Sequence, residues 1–408
     1  MWEDFTTPVS QARSGLLFRD WLAQYVLVSS YERKAREYVG IAEVIDSRVS
    51  ALRTTPQSPP HHAEGPFVMD GVHRALAGLL AIQEGASLLT IEEFLRERHV
   101  REEIEELDLV IHEHAASLIV YLLVHDLGKA STLCFDASAG SLGEAEGFAQ
   151  HKYRARREAT AAERLLYGKL FKSYHALHTT EPIERVCAGF FDAYEIHAHY
   201  PEHEKESVAM FVESFDRLCD HFRLRERERD LVRFAVREHI RTSLSIATQD
   251  GARAYELLLT RAHKAGFDAD DAVDFLLAAV FLDQCVGSLP YSHGVFEPSV
   301  SLVLGFLKAE EEVAPHRRLA RRARKEEQKE RALRYALKEA GLDGTALFSL
   351  LQTPFGPERG RLASSVREAV LSGTFQIDHP THTHEIEKRL KKAHALFTQG
   401  ARNENIGA

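Results

Sequence analysis

Residues 111–132 read IHEHAASLIVYLLVHDLGKAST, and the passage from the greasy stretch 115–124 into the doublet His125–Asp126 decides the fold. Ten such residues fall well short of the ~20 needed to cross a bilayer, so the stretch predicts a buried helix. Its apolar face is Leu118, Ile119, Leu122 and Leu123. A histidine and an aspartate at the end of such a helix are expensive to bury unless something pairs with them. A divalent metal does so, because imidazole and carboxylate are both ligands and the cation compensates the buried charge. Gly128 then permits a tight exit from the helix, and Lys129 sets a cation where a phosphate would sit.

Outward from this helix the pattern is helical almost everywhere. Ala, Leu, Glu and Arg dominate and β-branched alternation is scarce, so the fold class is all-α, helices packed on helices. Residues 1–53 read as an N-terminal helical extension. The stretch TTPQSPPHHAEGP (54–66), with four prolines and a glycine, reads as a linker. Residues 67–290 form the dense helical domain, with a Gly/Ser-rich loop at 134–147 and an irregular close at 288–298. Residues 291–408 are a C-terminal helical extension, including a charged helix at 315–341 that follows Pro315 and stops at Gly341.

The chain has 408 residues, 44% hydrophobic and 27% charged, which excludes disorder along its length. A net charge of -10 argues against a generally basic, polyanion-binding protein. Within 317–334, however, nine Lys/Arg face three Glu, a candidate protein or RNA contact whose simpler reading is a solvated helix face. The four cysteines, Cys134, Cys187, Cys219 and Cys285, form no CxxC pair and fit a reducing compartment. The start MWEDFTTP has no basic n-region. The expectation is a cytoplasmic protein with no membrane contact. No Walker A, GxGxxG or GxSxG motif supports the corresponding enzyme classes. The 22 histidines, against 3 methionines and 2 tryptophans, raise the weight of a metal site.

VHDLGK (124–129) resembles the signature of the HD superfamily of metal-dependent phosphohydrolases, whose ligands run H…HD…D on a helical bundle. The resemblance covers 67–290 in outline and implies an HD-type bundle. For the distal aspartate it implies Asp283, inside the apolar run of AVDFLLAAVFLDQCVGS (272–288). For the first histidine it favours His73, in FVMDGVHRALAGLLAIQEG (67–85), near the start of a separate helix. His112 and His114 are the nearby rivals. If 103–124 is one helix, His114 lies 11 positions before His125, or ~16 Å along the axis, too far to share an ion. The metals in question are Mn, Mg, Ni, Fe or Zn, one or two per chain.

A second metal is implied at His151 and His239, with His175 and His178 as rivals to the latter. LVRFAVREHIRTS resembles the V-x-x-H-H helix of the nucleotide-acting members, except that Glu238 stands for the first histidine. That leaves Glu238 as ligand, base or solvent-facing residue. Lys129, Arg154 and Arg241 are the candidate contacts to a substrate phosphate. The resemblance implies a phosphomonoesterase or phosphodiesterase acting on a nucleotide or similar phosphorylated small molecule. Asp126 would ligate the metal and orient its water, and Lys129 would neutralise developing charge. The alternatives are a non-catalytic nucleotide sensor or interaction scaffold on the same bundle, and a di-iron oxygenase.

Overall fold

A computed structural model describes residues 15–97, 100–150, 158–210, 214–246, 250–292, 294–350, 357–375 and 384–407. The fold is all-α, as the periodicity predicts, with two small two-stranded ribbons. It divides into two compact units, 1–313 and 314–408. The boundary is therefore not at 290/291, and neither 1–53 nor 54–66 stands apart from the first unit.

The longer elements of the first unit, in chain order, are α1 (Ser29–Ile45), α2 (Val68–Gln83), α3 (Arg101–Glu113), α4 (Ala115–Val124), β1 (Cys134–Ala137), α5 (Ala161–Leu177), α6 (Ile183–Tyr194), β2 (Ile196–His199), α7 (His203–Met210), α8 (Glu226–Ile246), α9 (Gly251–Lys264), α10 (Ala269–Val280) and α11 (Ser301–Val313). Helix α4 is the axis. All its residues from Ser117 to Val124 are buried, as expected for a helix apolar on every side, and α2, α8 and α10 surround it. The single helix expected over 103–124 is broken: α3 and α4 meet at 81°. His114 is the hinge residue, its backbone leaving helical geometry (φ -103°, ψ 21°). Among the described residues no single helix is long and apolar enough to cross a membrane.

Helix α10 does not stop at Val280. It widens into a π-helical turn, Phe281–Gly287, that carries Asp283, the kind of irregularity that recurs at functional sites. Helix α2 lies on this turn through small residues. A side chain on Gly78 would come within 2.4 Å of Val286, and one on Gly287 within 3.1 Å of Ala75.

The stretch 54–66 is irregular, but it is no linker. Thr55, Gln57, Ser58, Ala63 and Glu64 are buried. Glu64 accepts from the Gln57 side chain at 2.8 Å and from the Leu289 amide at 2.8 Å, and lies 2.9 Å from His62 Nδ1. Ser58 Oγ accepts from Ala198 N at 2.9 Å, and the Tyr200 hydroxyl donates to Pro56 O. Prolines here fix an irregular path that polar side chains then staple to the bundle. Part of the segment expected as loop at 134–147 is strand: β1 pairs antiparallel with β2, from Cys134↔His199 to Ala137↔Ile196. The close at 288–298 contains a two-residue hairpin, Tyr291–Ser292 with Val295–Phe296.

This loop supplies a pH prediction. Asp70 caps α2 by accepting from Phe67 N at 2.9 Å. Its carboxyl is pushed up to about 6 by burial, with the Phe67 amide opposing and the Glu64 charge adding to the rise. Between about pH 4 and 6 the folded chain therefore binds more protons at Asp70 than the unfolded chain does, so stability falls as pH rises. Urea unfolding of Asp70→Asn is expected to show about 1–2 kcal/mol more stability than the parent at pH 7. At pH 4 the two should agree. Parallel curves at both pH values would refute the assignment.

The second unit is a separate helical core. Leu333 and Leu337 of α12 (Pro315–Glu339), Leu362, Val366 and Val370 of α13 (Pro357–Ser372), and Ile386 and Leu390 of α14 (His384–Gly407) bury one another. In the charged run 317–334, Arg331 and Arg334 pair with Glu327 and Glu330 one turn earlier, at 3.3 and 3.0 Å. The first is ordinary solvent-face pairing, while Glu330 also accepts from Arg367 and so ties α12 to α13.

Candidate metal centre

Helix α4 delivers His125 and Asp126 to the interior, 1% and 5% exposed. His125 Nδ1 lies 3.2 Å from the Tyr121 and Leu122 carbonyls. Its Nε2 is thereby turned toward Asp283 Oδ1 at 3.0 Å and Asp126 Oδ2 at 3.2 Å. Two further histidines repeat this arrangement. His203, at the start of α7, sets Nδ1 3.0 Å from Tyr200 O, and His239, on α8, sets Nδ1 2.8 Å from Val236 O. In all three a main-chain carbonyl three or four residues back holds Nδ1–H, which fixes the tautomer and frees Nε2 as a ligand atom.

The three Nε2 atoms converge. His125, Asp126 and Asp283 offer ligand atoms within 4.8 Å of one another, and so do Asp126, His203 and His239. Asp126 belongs to both groups, with Oδ2 toward His125 and Oδ1 3.3 Å from His203 Nε2. That last pair lacks hydrogen-bond alignment, and Asp126 Oδ1, His203 Nε2 and His239 Nε2 are buried without a hydrogen-bond partner. Two orphaned imidazole nitrogens beside an orphaned carboxylate oxygen are costly in an apolar interior. A cation removes the penalty, so the donor set fits the metal that the resemblance implies.

The carboxylates favour a proton on His125, which an incoming metal would displace. Burial disfavours a charged ring at His125, yet Asp126 and Asp283 outweigh it and raise its pKa to about 10. The same contacts, with Lys129, hold Asp126 well below the usual carboxylate range against its own burial. His239 is driven down to about 3 by burial and then by the charge on His125, leaving the neutral imidazole that metals take. Lys129 Nζ is 2.8 Å from Asp126 Oδ2, buried, and 5.1 Å from the centre of the Tyr200 ring.

Gly128 has a reason other than a tight exit. Its backbone is ordinary right-handed helix (φ -65°, ψ -22°), but a Cβ there would lie 2.1 Å from His203 O and 2.7 Å from Ser207 N. Ser207 completes the clamp: its hydroxyl donates to His125 O at 2.7 Å and accepts from Gly128 N at 2.9 Å. The turn after the doublet thus seats α7 and positions His203.

His125, Asp126, Lys129, His239 and Asp283 come together, while the other expected residues that the structure describes do not join them. His73 lies on the face of α2 opposite Gly71, Ala75 and Gly78, which meet the π turn. Its charged neighbours are Arg53, Arg36 and Glu43, and no metal-capable group among the described residues includes it. His114 packs edge-on against Phe275 at 5.5 Å. His178 pairs with Glu181 at 2.8 Å. Glu238 is neither ligand nor solvent-facing. It is 3% exposed and 2.7 Å from Arg261 Nε of α9. Arg241 is exposed, two residues and so ~200° around the helix from His239. His151 and Arg154 lie outside the described residues.

The residues missed are His203, Ser207 and Tyr200. The only cue was His203 at a helix start just after Pro201, on a segment whose apolar residues form no clear stripe. The contrast is testable by metal analysis: His203→Ala is expected to lose about one equivalent of bound metal, while His73→Ala keeps the parent's content. The reverse pattern would return the first histidine to α2. The chain matches no protein-family model, no curated protein and no solved structure.

Proposed function

We propose that the protein is a metal-dependent phosphohydrolase, a phosphomonoesterase or phosphodiesterase acting on a nucleotide or nucleotide-like phosphate. The observation that carries the reading is the sharing of Asp126 between two buried ligand groups whose imidazole Nε2 atoms face one centre. His125, Asp126 and Asp283 would hold one divalent ion, and Asp126, His203 and His239 a second. A divalent ion bound there supplies a Lewis acid for the phosphoryl oxygen and lowers the pKa of its water. Asp126 fixes the spacing between the two groups. Lys129, kept beside Asp126 by the Tyr200 ring, balances the carboxylate and faces the anionic substrate. The four cysteines are buried and form no disulfide, and action in the reducing cytosol is part of the same reading.

The test combines metal analysis with a panel of phosphomonoesters and phosphodiesters under Mn²⁺, Mg²⁺, Ni²⁺ and Fe²⁺. Up to about two metal equivalents and turnover of one ester class are expected. Chelation should lower the melting temperature, because the metal binds only the folded chain. Tight nucleotide binding without turnover would favour the sensor reading, and oxygen uptake by iron-loaded protein the oxygenase.

A further inference from the structure

Two of the buried tyrosines in the first unit bond their hydroxyls within the protein: Tyr167 donates to Gln57 O at 3.0 Å, and Tyr291 to Asp192. Tyr121 does not. The residue is 0% exposed, and its hydroxyl is buried with no hydrogen-bond partner. A phenylalanine would fill the same space without stranding a polar atom. The hydroxyl therefore calls for a partner that the chain itself does not supply.

The ring stands within the metal centre. Tyr121 precedes His125 by about one turn of α4, and the two rings stack with centroids 4.9 Å apart and planes 18° from parallel. The Tyr121 carbonyl also lies 3.2 Å from His125 Nδ1, so one residue seats this imidazole with both backbone and ring. His239, from the other ligand group, meets the Tyr121 ring edge-on at 6.1 Å, and the His125 and His239 rings are 5.4 Å apart. Burial, then the charges of Asp283 and Asp126, push the phenol up from its ordinary value, so it stays neutral. Imidazole Nε2 atoms and carboxylates in their ligand forms are acceptors only. Packed against an imidazole of each ligand group, Tyr121 adds a donor.

We propose that the Tyr121 hydroxyl donates a hydrogen bond to the water that attacks phosphorus. This inference rests on the phosphohydrolase reading. The carboxylates accept from such a water, and the phenol fixes its oxygen. As that oxygen bonds to phosphorus it releases a proton to solvent. An O–H donor holds the charge that builds on it more strongly than it holds neutral water. The bond from phosphorus to the leaving oxygen breaks, and that oxygen keeps the electron pair and takes a proton from solvent. Ester and water become alcohol and phosphate, and the phenol keeps its own proton throughout.

The test begins with crystals of the full chain loaded with Mn²⁺ and free of substrate. A water oxygen is expected about 2.8 Å from Tyr121 Oη. Tyr121→Phe keeps the ring that stacks on His125 and removes only the hydroxyl. It is expected to retain the parent's metal content and to lower kcat about 30-fold, with KM within about twofold of the parent. A role confined to the stack predicts a phenylalanine variant as active as the parent. That result, a hydroxyl still without a water, a metal ion bonded to Oη itself, or loss of metal from the variant would each overturn the assignment and leave the phosphohydrolase reading in place. A parent that hydrolyses no ester removes both. Should Tyr121→Phe melt early, the parent crystal decides alone: a water on Oη upholds the assignment and its absence overturns it.

Discussion

Gly128→Ala is expected to remove about one equivalent of metal and to lower kcat/KM at least about 100-fold, although the added methyl group touches no ligand atom. Alanine suits the backbone at this position, so the whole effect comes from where the new Cβ lands. At 2.1 Å from His203 O and 2.7 Å from Ser207 N it meets main chain, which cannot rotate away as a side-chain tip can. Helix α7 must move, and with it His203 and the Ser207 hydroxyl that joins His125 O to Gly128 N. Overpacking of this kind also costs about 1–3 kcal/mol of stability. Metal stoichiometry beside urea unfolding checks both parts. A Gly128→Ala protein with the parent's metal content and turnover would mean that α7 holds no part of the centre.

The second large effect is at Asp126. Asp126→Asn keeps the shape and removes the charge shared by both ligand groups. Bound metal is expected to fall to near zero and phosphate release to be abolished. In chelator the variant should also be about 3–5 kcal/mol less stable than the parent, because the buried Lys129 ammonium and His125 imidazolium lose their common partner. Adding Lys129→Met to Asp126→Asn should recover part of that loss, since it removes one of the stranded charges. Lys129→Met alone should retain metal and lose turnover, mainly through weaker substrate or transition-state binding. If Asp126→Asn hydrolyses every ester as the parent does, the centre is not the active site.

The parts of this centre legible in the sequence share one property: they are charges inside apolar runs. His125–Asp126 closes the apolar α4, and Asp283 sits among Phe281, Leu282 and Val286, so the cost of burial alone marks them. His239 was legible by its family-like helix. His203 was not, because its helix is polar and its packing partner, Gly128, lies 79 residues before Ser207 in the chain. A glycine required for close approach carries no local signature when its backbone is ordinary helix. His73 misled for a related reason. The small residues after it resemble the family's first-histidine helix, but Gly71, Ala75 and Gly78 use their smallness on the π turn, which points His73 the other way. The prolines of 54–66 mark irregular backbone correctly and say nothing of burial, which comes from Gln57, Ser58 and Glu64 finding distant partners.

The contact between His125 and Asp283 spans 158 residues, and this sets the order in which the first unit can mature. A growing chain that has emerged only as far as α10 contains His125, Asp126, Lys129, His203 and His239 but not the second carboxylate. The end of its most apolar helix then carries a histidine and an ammonium beside a single carboxylate. Sealing that end away from water is unfavourable until Asp283 arrives, so α4 stays partly solvated while most of its neighbours already exist. Closure of the bundle is thus expected to be a late, long-range event. Until then the apolar surface of 115–124 is what a chaperone would have to shield.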